Sequence, residues 1–261
     1  MSKRNIAAAA KRLREAAAQK VTCDPIRNLI GATDHQNAYA VQEINNALRT
    51  ASGARRVGSK IGLTSVVVQQ QFGISEPDYG ILFDDMEVLN GTEISVQQLM
   101  QPRAEAEIAF VLGKTLDRPS LGVADLLSAV EYVVASIEIV GSRIEGWDIR
   151  ITDTIADNAS ASHFVLGHRP VRLENIDLIN CQMTMEQNGE VVSQGKGGDC
   201  LGSPINALLW LARTMRSLGK PMQAGDIVLS GALGPMVNIA AGDHFKVLIE
   251  GMGEVSVNFV A

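Results

Sequence analysis

Apolar positions recur along this chain at two different periods, and the change of period divides it. Residues 2 to about 20 are rich in Ala, Lys, Arg and Glu, which favour helix. Cys23-Asp24-Pro25 marks a turn. Thr33-Asp34-His35-Gln36 has the form of a capping box, and Val41, Ile44, Leu48 and Ala51 then follow at helical spacing to a stop near Ser52-Gly53. Beyond that point short apolar or alternating runs dominate. Strands are predicted over Arg56 to Leu63, from Glu105 into Ile108-Ala109-Phe110-Val111-Leu112, over Val134 to Val140 and over Gly225 to Ser230. Hairpins are predicted around Asn188-Gly189 and between Phe245–Ile249 and Val255–Phe259. Three helices interrupt the strands. One is capped by Thr64 and runs through Gln71 to a stop at Gly73. One spans Ser120 to Val133, and one spans Ile205 to Leu218 behind the Ser203-Pro204 N-cap. Ile74 to Phe83, punctuated by Pro77 and Gly80, reads as a loop. The pattern predicts a single α+β domain over 1–261, with an N-terminal helical region (1–53) and a β-rich core (54–261).

Composition narrows the class. The chain is 46% hydrophobic and 20% charged, enough to bury a sizeable core, and its net charge of −6 argues against nucleic acid or an anionic membrane as the main partner. Cys23, Cys181 and Cys200 are far apart and odd in number, so free thiols in a reducing cytoplasm are expected rather than a disulfide framework. The basic, Ala-rich start lacks the apolar core of a signal peptide, and no membrane span is expected.

Candidate chemistry lies with the acids. Glu105 and Glu107 stand two apart on a predicted strand and so share a face, among small alanines. Adjacent like charges are costly without a cation or proton between them, and a hard divalent cation suits oxygen ligands. Exposure on an edge strand is the alternative. Glu138 sits inside the apolar run Val134–Val140, where an unpaired carboxylate is expensive. It is a third metal ligand, or else an ion-pair partner of Arg103 or Arg143. Lys60, between apolar residues and glycines, either snorkels to water or is desolvated, with a lowered pKa suited to proton transfer. Asp78 is a proton-transfer partner or a turn residue. The polar stretch 146–161 is a site wall or a surface connection. The four histidines show no ligand spacing, and Gly195-Lys196-Gly197-Gly198 lacks P-loop spacing. The glycine turn from Gly231 to Val237 allows close backbone approach to a ligand.

Several of these pieces, in this order, resemble the hydratase/decarboxylase branch of the fumarylacetoacetate hydrolase superfamily. They are Lys60-Ile61-Gly62-Leu63-Thr64, Pro77-Asp78-Tyr79-Gly80, Pro102-Arg103-Ala104-Glu105-Ala106-Glu107, Ile137-Glu138-Ile139-Val140-Gly141-Ser142-Arg143 and Ala156-Asp157-Asn158-Ala159-Ser160. The resemblance implies a mixed β-roll with peripheral helices. It implies Glu105, Glu107 and Glu138 as ligands of magnesium or manganese, Lys60 and Asp78 as catalytic residues, and Ser160, Gly231 and Pro235 as parts of the pocket wall. Leu82, Phe83 and Val237 are candidates to shape the far end of that pocket. A homo-oligomer built on pentamers is expected, in possible complex with a 4-oxalocrotonate decarboxylase. The implied reaction is metal-dependent hydration of 2-hydroxypenta-2,4-dienoate to 4-hydroxy-2-oxopentanoate in aromatic meta-cleavage catabolism. Decarboxylation of 4-oxalocrotonate on the same acids, hydrolysis of an acylpyruvate, and a catalytically silent partner are the alternatives.

Overall fold

The computed structural model describes residues 2–65, 69 and 76–261. Helices α1 (Lys3–Gln19) and α3 (His35–Ala51) lie close to the expected bounds, and a short helix outside the expectation, α2 (Arg27–Ile30), stands between them. The cap of α3 is Asp34, whose carboxylate accepts from the Asn37 amide, rather than Thr33. These helices share an apolar cluster with the short helix α5 (Ile151–Ala156): Ala9, Ala10, Leu13, Ile26, Val41 and Ile155 are all within it.

Thirteen strands are described: β1 (Arg56–Gly62), β2 (Asp78–Phe83), β3 (Glu87–Val88), β4 (Glu93–Ser95), β5 (Arg103–Leu112), β6 (Val130–Val140), β7 (Ala161–Leu166), β8 (Gln182–Gln187), β9 (Glu190–Lys196), β10 (Ile227–Leu229), β11 (Val237–Asn238), β12 (His244–Ile249) and β13 (Gly253–Val260). They make two mixed sheets. One has the order β2-β1-β10-β5-β6-β7-β3, with β11 also on β5; the other has the order β4-β13-β12-β8-β9. The first sheet places the chemistry. Most of its ladders are antiparallel, while β1 and β10 run parallel. One large apolar cluster, with Phe110, Phe164, Phe245 and Phe259 among its largest members, joins the sheets to helix α6 (Pro204–Ser217). Ser203 caps that helix as expected. Among the described residues no helix is long and apolar enough to cross a membrane, and the three cysteines are free.

Three expectations need correction or fall aside. Asp78–Phe83 is a strand, not a loop: it pairs antiparallel with β1 from Gly62↔Asp78 to Arg56↔Phe83. Pro77 stands just before its first residue. Gly80 is there because a Cβ would lie 2.2 Å from the Asn158 carbonyl oxygen and 3.3 Å from Lys60 Cγ. The helix expected over Ser120 to Val133 is only α4 (Val123–Ala129). Val130, Tyr132 and Val133, which are β-branched or aromatic, instead extend β6 along β5. The helix expected from Thr64 to Gln71 with its stop at Gly73 falls largely outside the described residues.

Candidate active site

Register decides which side chains meet. Residues opposite one another on paired strands share a face, as do residues two apart on one strand. Glu105 lies opposite Glu138, and Glu107 opposite Ser136. Ala109, on the face of Glu105 and Glu107, lies opposite Leu229, which lies opposite Lys60. Lys60 lies opposite Gly80, and Gly62 opposite Asp78. Thus Arg103, Glu105, Glu107, Glu138, Lys60 and Asp78 all belong to one face.

The sheet curls to close that face on itself. In a flat sheet β1 and β6 would be three spacings, roughly 14 Å, apart. Yet Lys60 Nζ lies 3.2 Å from Glu138 Oε2. One oxygen from each of Glu105, Glu107 and Glu138 lies within 4.8 Å of the others. Glu107 and Glu138 are fully buried, and Glu105 is partly exposed. The exposed-edge reading of the pair is therefore excluded. So is an ion pair of Glu138 with an arginine: its cation is Lys60, while Arg143 binds Asp157.

The charge balance is unusual for an interior. Burial raises the pKa of all three glutamates; that of Glu107 is lifted furthest, with Glu138 and Glu105 adding repulsion, and Glu138 is raised to about 7. Glu107 Oε2 accepts from the Gly231 amide at 2.8 Å, but among the described residues its Oε1 and both Glu138 oxygens have no hydrogen bond of good geometry, and Glu138 is ion-paired with Lys60. Unsatisfied buried carboxylate oxygens converging on one point fit a hard divalent cation, which prefers oxygen ligands and tolerates open positions. Three carboxylates would carry it.

Lys60 is held from two sides, donating to the Ala159 carbonyl at 3.0 Å as well as facing Glu138. Burial pulls its pKa down, but Glu138, Glu105, Asp78 and Glu107 outweigh burial, so the ammonium is stabilised. This corrects the expectation of a lowered lysine pKa, because four acids face it. Asp78 is 1% exposed, and burial raises its pKa to about 6 despite the nearby Lys60. Among the described residues neither of its oxygens has a hydrogen bond of good geometry; Thr154, which acts to lower its pKa, shares a hydrogen bond with Ser160 at 3.2 Å. The packing there is tight, since a Cβ on Gly62 would lie 2.2 Å from Asp78 Oδ1.

The carbonyl that holds Lys60 comes from an unusual turn. Asn158, Ala159 and Ser160 all have positive φ, at 56°, 50° and 59°. Such a run of non-glycine residues is strained and needs support from its surroundings. Asn158 supplies it: its side chain accepts from the Ile81 amide at 2.8 Å and donates to the Ile81 carbonyl at 2.9 Å, pairing with β2 as a strand would. Arg143, bound to Asp157 through side chain and backbone, anchors the turn from behind. The polar stretch 146–161 is therefore part of the site wall. Its role as a backbone clamp was not legible, because positive φ at Asn, Ala and Ser leaves no mark in composition.

The remaining candidates divide. Gly231, with φ of 98°, reaches the acids through its amide, and a Cβ there would strike the Thr64 side chain. Ser160 is buried on the Asp78 side. Pro235 is exposed at the outer end of the turn. Of the apolar candidates only Leu82 shares the face of Asp78 and Gly80. Phe83 alternates to the other side, under the Arg49 guanidinium, and Val237, opposite Ala104, also points away from the acids.

Comparison with known proteins agrees with this architecture. Residues 63–260 match the family model described as fumarylacetoacetate (FAA) hydrolase C-terminal. A TodF product hydratase of Pseudomonas putida (strain F1) is 56% identical over 96% of this chain and 94% of its own. A 2-keto-4-pentenoate hydratase of Dechloromonas aromatica (strain RCB) is 53% identical over 97% of this chain and 96% of its own. Among solved structures, a 4-oxalocrotonate decarboxylase from Pseudomonas putida G7, complexed with magnesium and adipate, superposes with a TM-score of 0.95. It is 32% identical and covers 100% of this chain and 99% of its own. In sequence and in fold, this chain belongs to the fumarylacetoacetate hydrolase family.

Proposed function

We propose that this chain is a divalent-metal-dependent hydro-lyase that converts 2-hydroxypenta-2,4-dienoate into 4-hydroxy-2-oxopentanoate. The observation that carries the reading is the meeting of Glu105, Glu107 and Glu138 within 4.8 Å beside a buried lysine, in a chain more than half identical to proteins named as hydratases. Glu105, Glu107 and Glu138 hold magnesium or manganese. When bound, the cation supplies Lewis-acid stabilisation of negative charge on the substrate's 2-oxygen.

The chain's own residues manage the protons. Hydration needs a proton at C5 to form the conjugated ketone, water at C4, and a proton at C3. Asp78 is buried, lacks a full hydrogen bond and has a pKa near 6, so it exchanges a proton readily near neutral pH. Lys60, kept charged by the surrounding acids and aimed by the Ala159 carbonyl, donates to the developing charge along the dienol. Full burial of Glu107 and Glu138 keeps the inner end of the site from bulk water, while the partly exposed Glu105 end admits substrate and the reacting water. Leu82, on the same face, borders the far end of the substrate.

A second reading, decarboxylation of 4-oxalocrotonate, is favoured by the solved relative of that name and would use the same acids. A paired assay separates the two. Freshly generated 2-hydroxypenta-2,4-dienoate is offered with magnesium or manganese, with an EDTA control, and loss of its ultraviolet absorbance is followed with product identification. 4-Oxalocrotonate is offered in parallel and carbon dioxide is measured. Metal-dependent 4-hydroxy-2-oxopentanoate without carbon dioxide is expected; carbon dioxide release in place of hydration refutes the reading. The homo-oligomer belongs to the same proposal and is read by sedimentation.

A further inference from the structure

The acid cluster opens in one direction. Along β5, on the face that carries the acids, Glu107 is fully buried, Glu105 is partly exposed, and Arg103, next on the same face, is partly exposed as well. An anionic substrate approaching from that side meets Arg103 before it meets the carboxylates. Across β10, Lys60 on β1 stands level with Ala109, past Glu105 and Glu107 from Arg103, and Asp78 lies beside β1 on β2. Along β5 the order is therefore Arg103, Glu105, Glu107 and then Ala109, the level at which Lys60 stands.

Arg103 is also held as a binding group would be. Its guanidinium lies 4.4 Å from the centroid of the Trp147 ring. Trp147 in turn donates from Nε1 to the Gln101 carbonyl at 3.0 Å. The tryptophan sits at φ of 57°, just after Gly146 at φ of 60°. A bulky residue in that region is strained, and such strain persists where the surroundings fix it. Stacking occupies the face of the guanidinium and leaves its in-plane donors available. One of them reaches Met236 Sδ at 3.5 Å, a weak acceptor on the glycine turn. Among the described residues Arg103 forms no ion pair with a carboxylate. It is close enough to Glu105 to favour that residue's charged form.

We propose that Arg103 is a specificity-determining residue that receives the carboxylate of a 2-oxo or 2-hydroxy acid at the open end of the acid cluster, presented edge-on by its stack against Trp147. A cluster of carboxylates repels an anion, and a guanidinium fork matches a carboxylate with two parallel hydrogen bonds. With the carboxylate at Arg103, the carbon chain runs over the acids toward Lys60 and Asp78, where the protons move. The identity of the dienoate rests on the hydration reading; recognition of the carboxylate does not.

The test uses the full-length protein with magnesium. Calorimetry measures binding of pyruvate and of methyl pyruvate to the parent protein, to R103Q and to R103K, with magnesium affinity and melting temperature alongside. The parent should prefer the acid. R103Q should weaken pyruvate by about tenfold to a hundredfold, the range of a charge-assisted pair, with little effect on the ester. R103K should recover part of the loss. Magnesium should bind R103Q at least as tightly as before, because a cation beside Glu105 has been removed. In turnover of the dienoate, KM should rise much more than kcat falls. Unchanged pyruvate binding in R103Q overturns the proposal. So does a parallel fall of pyruvate affinity, magnesium affinity and melting temperature, which is the signature of a merely structural arginine. A parent enzyme that turns over no dienoate refutes the hydration reading alone, and the pyruvate arm still decides the role of Arg103.

Discussion

Replacing Lys60 by methionine, which keeps length and apolar bulk but removes the charge, tests how the acids are balanced. Lys60 Nζ stands 3.2 Å from Glu138 Oε2, and Glu138 is 0% exposed with no other partner of good geometry among the described residues. Taking away one member of a buried pair leaves the other uncompensated, at a cost of about 3–5 kcal/mol. For a chain of this size each kcal/mol lowers Tm by roughly 2–4 °C, so a fall of about 6–20 °C is expected without metal. The fall should deepen as pH rises, because Lys60 holds the Glu138 pKa, raised by burial, down to about 7; without it the pKa climbs further, and a proton taken up at lower pH relieves the uncompensated charge. Saturating magnesium should recover much of the loss, since a cation among Glu105, Glu107 and Glu138 replaces the missing positive charge. Magnesium affinity itself should not weaken, while turnover of the dienoate should drop at least about a hundredfold, the usual scale for a lost proton-transfer group. The measurements are differential scanning fluorimetry with and without magnesium, calorimetry, and the absorbance assay. An equal fall in Tm in both conditions, or none in either, would refute the electrostatic coupling between lysine and metal site.

Other consequences follow from the same geometry. Single Glu→Gln changes at 105, 107 and 138 should each weaken magnesium by about tenfold or more in calorimetry, since losing a group that merely hydrogen-bonds a metal ligand already costs that much; normal affinity in all three would sink the site. Gly62→Ala should displace Asp78, because the new Cβ would lie 2.2 Å from its Oδ1. Overpacking of this kind costs about 1–3 kcal/mol, and kcat should fall while magnesium still binds. Asn158→Ala should remove both hydrogen bonds to Ile81 and release the turn that holds Lys60, a loss of about 1–3 kcal/mol for the unpaired groups. It should show as lower Tm and lower kcat, with magnesium affinity retained. His163 is partly buried, and burial with nearby Lys20 and Arg49 lowers its pKa from 6.5 to about 4. Between those values the unfolded chain binds the proton and the native chain does not. Its contribution is therefore complete above pH 6.5 and is lost as pH falls toward 4. Urea melts of His163→Gln should show a shallower acid slope than the parent.

Local pattern determined much of this protein. The strand carrying Glu105 and Glu107, the apolar run around Glu138, the cap at Ser203 and the hairpin at Asn188-Gly189 are all written in short stretches, because periodicity and turn chemistry act over a few residues. A shared face for Glu105 and Glu107 follows from strand alternation alone. Tertiary structure decided the rest. Only pairing across β5 and β6 sets Glu138 opposite Glu105, and only the curl of the sheet brings Lys60 to both. Asp78 read as a loop residue because Pro77 and Gly80 punctuate it. In the fold that glycine makes room for the Asn158 carbonyl, a contact 78 positions away in the chain. The lysine's charge state likewise depended on counting the four acids around it, which burial alone would have misjudged. Sequence names the groups that carry chemistry, because chemistry belongs to residue type. Distance, register and the balance of buried charge belong to the assembled sheet, where residues far apart in the chain come into contact.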